Sequence, residues 1–182
     1  MRKLLPILML SFAAFAADKA PAKKSGFTLS STDFKSGGTI PDKQVFNSFG
    51  CSGGNVSPAL EWKGAPEGTK SFVLMVHDPD APTGSGWWHW VVYNIPADTK
   101  SIPEGGPVPG TEGNTDFGKA GWGGPCPPPG SGKHHYQFTL YALKVDKIDV
   151  PQGATAAMVG FYANMNAIGK AKLTGLYERK KE

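Results

Sequence analysis

Apolar and polar positions along the chain fall into short, separated runs. Phe27-Thr28-Leu29 opens the pattern, and Ala59-Leu60-Glu61-Trp62 follows the turn-forming GGNVSP. Ser71 to Val76 (SFVLMV) is continuously apolar, as a strand buried on both faces should be. Trp88 to Tyr93 (WHWVVY) and Tyr136 to Leu143 (YQFTLYAL) are rich in aromatic and β-branched residues, which fit a pleated, half-buried surface. Gly, Pro, Asn or Asp bounds each run. Short strands separated by turn residues predict a mainly all-β fold, a sandwich or barrel of antiparallel strands rather than βαβ units.

The spacing changes near the C-terminus. Thr155 to Ala171 (TAAMVGFYANMNAIGKA) sets Val159, Ala163 and Ala167, and also Met158, Tyr162 and Met165, at roughly helical intervals. Gly160 and Gly169 work against a helix there. The pattern predicts one helix, at most two short ones, packed on the sheets, with Leu173 to Tyr177 as a final strand. Residues 101–132 hold 10 glycines and 7 prolines, a composition in which no regular element is expected. Phe117, Trp122 and Cys126 lie in this stretch, which predicts an ordered loop, and long ordered loops in compact domains are usually functional.

At the N-terminus, Arg2 and Lys3 precede an apolar stretch from Leu4 to Phe15, and Ala14-Phe15-Ala16 has the A-x-A form of a cleavage site. The stretch is too short to span a hydrocarbon core of about 30 Å. Residues 1–16 read as a cleaved signal peptide rather than an N-terminal core helix, 17–25 as a disordered lead-in, and 26–182 as a single domain. The expected destination is the periplasm or the exterior, and with no cysteine near the cleavage site no lipid anchor is expected. Removing residues 1–16 takes away two basic and no acidic residues, so the formal net charge falls from +4 to +2. The remaining lysines are scattered apart from Arg179-Lys180-Lys181, and no basic stripe points to nucleic acid. No helix rich in Lys and Arg points to stable membrane attachment.

Cys51 and Cys126 are the two cysteines. In an exported chain an even count favours one disulfide over two buried thiols. The bond would close a 75-residue separation and contribute about 4 kcal/mol through chain entropy. Neither cysteine sits in a C-x-x-C pair, which disfavours a metal site. No cofactor is expected.

The candidate chemistry begins at His77 to Trp90, HDPDAPTGSGWWHW, where Asp78 and Asp80 leave the SFVLMVH run. An Asp-Pro pair biases the aspartate to extended backbone and fixes the next φ. The bland reading is turn chemistry, since such carboxylates often bond their own backbone. Strand alternation separates His89 from Trp88 and Trp90, so either His89 faces a polar site while the tryptophans pack, or the reverse. A second cluster, Gly124 to Phe138 (GPCPPPGSGKHHYQF), runs from the Gly/Pro loop into a strand. His134 and Tyr136 share one face of that strand and His135 takes the other. A mouth of Gly-rich loop, histidines and an aspartate suits an anion, held by backbone N–H groups and charge-assisted bonds from a protonated histidine.

DPDAP at 78–82, WWHWVVYNIP at 87–96, GPCPPPGSGKHHYQFTLYAL at 124–143 and CSGGNVSPALEW at 51–62 together resemble the phosphatidylethanolamine-binding proteins, most closely their bacterial, Raf-kinase-inhibitor-like branch. The resemblance runs from about Phe27 to Tyr177. It implies a β-sandwich of two antiparallel sheets with a small pocket at one end for phosphate-like or acetate-like anions and phospho-head groups. Carried over by motif, the ligand-binding residues are Asp78, Asp80, His89, Gly124, Pro128, His134 and Tyr136. One departure stands out: the family often has His-Arg-Tyr where this chain has His134-His135-Tyr136. Alternation turns position 135 away from the pocket, so the change should affect a neighbouring ion pair more than the ligand.

The expected function is therefore an exported binding protein for a small anionic or phosphorylated ligand. The resemblance also implies an alternative, an inhibitor that uses the pocket rim against an extracytoplasmic protease or host protein. An enzyme is disfavoured because no nucleophile motif such as G-x-S-x-G is present. Exposed rim strands leave a dimer open.

Overall fold

The computed structural model describes residues 26–181; the expected signal peptide and the whole of the expected lead-in lie outside the described residues. In chain order the elements are β1 (Thr28–Ser30), β2 (Leu60–Lys63), β3 (Ser71–Asp78), β4 (Trp87–Pro96), β5 (Ser101–Ile102), β6 (Thr111–Glu112), β7 (His134–Leu143), α1 (Ala156–Asn166) and β8 (Ala167–Tyr177). They form a three-stranded sheet in the order β1-β2-β5 and a five-stranded sheet in the order β6-β4-β3-β7-β8. Every strand pair is antiparallel.

The unbroken apolar run of β3 has its cause in this architecture. β3 is central in the larger sheet and is covered on both faces. Phe72, Leu74 and Val76 join Leu60, Trp62, Trp90 and Phe138 in the core between the sheets. Val73 and Met75 face the other way, into a second core roofed by Val159 and Ala163 of α1. Small residues on that helix face let it lie close on the sheet. Thr155 starts the helix, its Oγ1 accepting from the Met158 N–H at 3.2 Å.

Two expectations need correction. The helical reading over 155–171 ends at Asn166, and residues 167–177 form one long strand paired to β7 from Leu143↔Ala167 to His134↔Tyr177. Ala171 and Leu173 are buried while Lys170 and Lys172 are exposed, a period of two that overrides the helical spacing of the preceding residues. The final strand expected at Leu173 to Tyr177 is present and starts six residues earlier, at Ala167. The Gly/Pro-rich segment is also less bare than its composition predicts. It supplies the two-residue strands β5 and β6, each an edge strand in its sheet, where little ladder pairing is needed.

The rest of that segment is pinned to residues 44–55. Trp122 Nε1 donates to the Gln44 carbonyl at 3.0 Å, the Phe46 N–H donates to Pro125 O at 3.0 Å, and the Gly124 N–H donates to Asn55 Oδ1 at 2.8 Å. Cys51 and Cys126 are joined by a disulfide in the same place.

Candidate ligand-binding site

Strand register gathers the chemistry at one end of the larger sheet. β3 ends at Asp78, β4 begins opposite it at Trp87, and β7 begins at His134, three residues before the Gln137 that pairs with His77. The register of β3 and β4 slips here: Val76 pairs with Trp90 and His77 with Trp88, which leaves His89 as the extra residue of a bulge. A bulge re-aims side chains. It breaks alternation, so His89 and Trp90 both point toward the inter-sheet side while Trp88 stacks on His77, ring centroids 4.2 Å apart, on the other.

A cavity of about 160 Å³ opens at this end. Asp78, Thr83, His89, His134 and Tyr136 are its polar members; Phe49, Ala81, Pro82, Trp87, Phe117, Cys126, Pro127 and Pro128 complete the lining. Cavities of this size hold a ligand of about six heavy atoms. Asp78 is buried, and each of its oxygens meets a protein donor: Oδ1 accepts from the Asp80 N–H at 2.9 Å, and Oδ2 lies 2.7 Å from His134 Nδ1. The first of these bonds is the turn chemistry of an aspartate before proline, and it aims the second oxygen at His134. His89 Nδ1 lies 2.6 Å from the Gly123 carbonyl, and Phe117 and Tyr136 pack edge-on against its ring. The Tyr136 hydroxyl is buried and has no hydrogen-bond partner.

Of the residues carried over by motif, Asp78, His89, Pro128, His134 and Tyr136 line the cavity, and Asp80 and Gly124 do not. Asp80 turns outward, where its carboxylate accepts from the backbone N–H of His135 and from His135 Nδ1, both at 2.8 Å. Gly124 supports the wall from behind. A Cβ there would run into the Gln44 carbonyl oxygen and the Phe46 nitrogen, so only glycine lets the two loops meet. Sequence reasoning missed Phe49 and Phe117, which come from loops far apart in the chain. Trp87 also stands in the lining, with Phe117 edge-on beside it. Nothing in local spacing announces those three. Among the described residues no group of three or more His, Cys, Asp or Glu is placed to hold a metal ion, and no helix is long and apolar enough to cross a membrane.

Residues 30–178 match the family described as phosphatidylethanolamine-binding protein. The chain belongs to that family. Its sequence is 47% identical over 188 aligned positions to the UPF0098 protein YbcL of Escherichia coli K12, covering 99% of this chain and 100% of YbcL. It is 48% identical to the UPF0098 protein YbhB of the same organism over 82% of this chain and 98% of YbhB. The crystal structure of E. coli YbcL, described as a new member of the mammalian family, superposes with a TM-score of 0.81 over 85% of this chain and 99% of YbcL, at 49% identity. CT736 of Chlamydia trachomatis superposes with a TM-score of 0.75 over 86% of this chain and 99% of its own, at 34% identity.

Within this family member the pocket has a definite hydrogen-bonding polarity. The Gly123 carbonyl can only accept, so His89 Nδ1 carries the proton and donates. Complete burial disfavours the charged imidazolium and pulls His89 down to about 4, against the opposing pull of the Gly123 carbonyl and Asp78. Near neutral pH the Nε2 of His89 is thus a lone-pair acceptor, and the donor expected of it requires a second proton. Burial, with the Asp78 charge beside it, pushes the Tyr136 phenol above its ordinary range and keeps it a donor. The floor of the site therefore offers one hydroxyl donor, one imidazole acceptor and a buried His–Asp pair.

Proposed function

We propose that the chain is an exported binding protein whose pocket takes the head group of a small phosphorylated or carboxylated ligand. The observation that carries this reading is the Tyr136 hydroxyl, buried without a partner at the wall of the cavity. An unsatisfied buried hydroxyl costs about 1–3 kcal/mol, which a ligand oxygen would recover. A monoanion that keeps one O–H suits the floor best: its charged oxygen accepts from Tyr136 and its hydroxyl donates to His89 Nε2. The apolar rim of Phe49, Trp87, Phe117 and Pro82 favours a ligand with an apolar portion beyond the head. The Cys51–Cys126 disulfide supports an oxidising compartment, in keeping with export.

A second reading, a rim-directed inhibitor of an extracytoplasmic protein, is favoured by Phe49. It is 67% exposed at the mouth and stacks near Phe117. Thermal melting against phosphate, phosphoethanolamine, acetate and glycerophospho-head groups tests the first reading. A ligand at 100 times its dissociation constant adds about 2.7 kcal/mol. One phospho-ligand should raise the melting temperature of the wild type and leave His89→Ala and Tyr136→Phe unmoved. No shift with any member of the panel would defeat the head-group reading and leave the rim reading, to be examined with Phe49→Ala.

A further inference from the structure

Ser131 has no part in head-group binding as proposed, yet it completes a chain of groups that runs out of the pocket. Its Oγ lies 2.9 Å from His134 Nε2, and His134 Nδ1 lies 2.7 Å from Asp78 Oδ2. Hydroxyl, imidazole and carboxylate thus stand in series, each within hydrogen-bond reach of the next, the arrangement by which a serine is activated for acyl transfer. The carboxylate accepts, so the imidazole donates from Nδ1 and turns a lone pair on Nε2 toward the serine. Asp78 is itself held by the Asp80 N–H, which keeps the imidazole from swinging.

The serine is also accessible. Ser131 is exposed in the turn Gly130-Ser131-Gly132, between Pro128 and His134, which both line the cavity. Its hydroxyl proton has a second acceptor, the Pro128 carbonyl at 2.8 Å. Rotation about the Cβ–Oγ bond redirects the O–H from the carbonyl to His134 Nε2 with no heavy atom moving. The N–H groups of the next two residues, Gly132 and Lys133, donate to no acceptor among the described residues and remain available to an oxyanion.

We propose that this pocket hydrolyses a small carboxylic ester with an apolar acyl group, Ser131 acting as nucleophile, His134 as general base and Asp78 as positioning residue. Ser131 Oγ adds to the ester carbonyl carbon as its proton passes to His134 Nε2. The bond from the carbonyl carbon to the alcohol oxygen breaks, and His134 returns the proton to the departing alkoxide. Water then adds to the acyl-serine with its proton going to His134, and collapse releases the carboxylic acid and restores Ser131. The inference rests on the cavity being a ligand site, but not on its ligand being a phospho-head group.

The test uses the purified full chain with p-nitrophenyl butyrate as substrate and a fluorophosphonate as covalent probe, the labelled peptide mapped by mass spectrometry. The expected result is an adduct on Ser131 in the wild type, with turnover lowered about 100-fold in Ser131→Ala. Replacing an exposed hydroxyl leaves folding intact, so that variant gives a clean comparison. Asp78→Asn should lower kcat with KM unchanged, a split that a merely structural role would not produce. Melting shifts with the head-group panel run alongside. Equal turnover in wild type and Ser131→Ala, with no adduct on Ser131, would overturn the proposal and assign the hydroxyl to closing the turn through Pro128, whatever the melting shifts show. Labelling of Ser131 with no melting shift from any member of the head-group panel would uphold it and defeat the head-group reading instead.

Discussion

Two histidine–aspartate pairs sit side by side at one end of the larger sheet, their histidines adjacent on β7 and their aspartates two apart across Pro79, and differ mainly in their surroundings. His134 Nδ1 lies 2.7 Å from Asp78 Oδ2, with side chains 3% and 4% exposed. His135 Nδ1 lies 2.8 Å from Asp80 Oδ2, with side chains 51% and 40% exposed. Residue type and atom type match and the distances nearly so; alternation along β7 turns His134 inward and His135 outward, and the Asp78-Pro79-Asp80 turn past the end of β3 carries Asp80 out to meet His135. Water screens the outer pair and competes for its hydrogen bonds, so its net worth is small. The inner pair has no such alternative partner, and losing either member leaves a buried polar group stranded. Equal geometry therefore implies neither equal stability nor equal chemistry.

The largest expected effect comes from breaking the inner pair. Asp78→Ala strands the His134 Nδ1–H and the Asp80 N–H and should cost about 3 kcal/mol in urea denaturation. Asp80→Ala should cost less than about 1 kcal/mol. Equal costs for the two variants would mean that burial does not set the difference.

Proton linkage gives the next effect, and it concerns the buried histidine outside either pair. His89 is pulled from 6.5 down to about 4 in the folded chain. Between those values the unfolded chain binds a proton that the folded chain does not, so stability falls as pH falls through this window and recovers as it rises. The total is on the order of 3 kcal/mol. Other groups titrate as well, so the diagnostic quantity is the difference between wild type and His89→Gln, followed by chemical denaturation from pH 7 to 4. The variant should lose the excess slope. A ligand whose charge raises His89 should narrow the window by moving its acidic edge up toward 6.5, and an unchanged window with ligand bound would place that ligand away from His89.

How much of this was readable in the sequence depends on distance along the chain. β3, β4 and β7 were legible because burial on both faces forces long apolar or aromatic runs. Asp78 and His134 were legible through the motifs that surround them. The helix boundary was not, because Ala167 to Ala171 is small and weakly patterned, and only pairing with β7 decides its form. The orientation of His89 was left open because alternation sets it opposite Trp88 and Trp90 without saying which face is which, and the bulge at Val76 and His77 turns it to the side of Trp90, outside both alternatives. Phe49 and Phe117 reach the cavity through loops whose approach depends on the Cys51–Cys126 bond and on contacts to residues 44–55. Ser131 lies three residues from His134, but a turn rather than a helix gives that spacing its meaning, so no motif marked it.

The outer pair supplies a smaller and sharper comparison. Slight burial pushes Asp80 up, but the side-chain and backbone bonds from His135, with its charge, together hold the carboxyl below its ordinary value of 3.8. This contribution is present above 3.8 and is lost as pH falls through the lower, folded value. A double-mutant cycle on Asp80→Ala and His135→Ala should return a coupling of less than about 1 kcal/mol near neutral pH. A coupling several times larger would show that the outer pair is shielded despite its exposure.

The smallest change is His135→Arg, which restores the residue expected from the family resemblance. Arginine carries a permanent charge opposite Asp80, and with the pair exposed to water stability should change by less than about 0.5 kcal/mol. Its value lies in the link between the pairs. The backbone N–H of Asp80 holds Asp78 Oδ1 while the Asp80 side chain holds His135. If that turn is rigid, recharging position 135 leaves Asp78 where it is, and phosphoethanolamine shifts the melting temperature of His135→Arg as it does the wild type. If the shift weakens although the stability change stays small, the turn at Asp78-Pro79-Asp80 transmits the outer pair's state to the pocket, and the two pairs act as one unit.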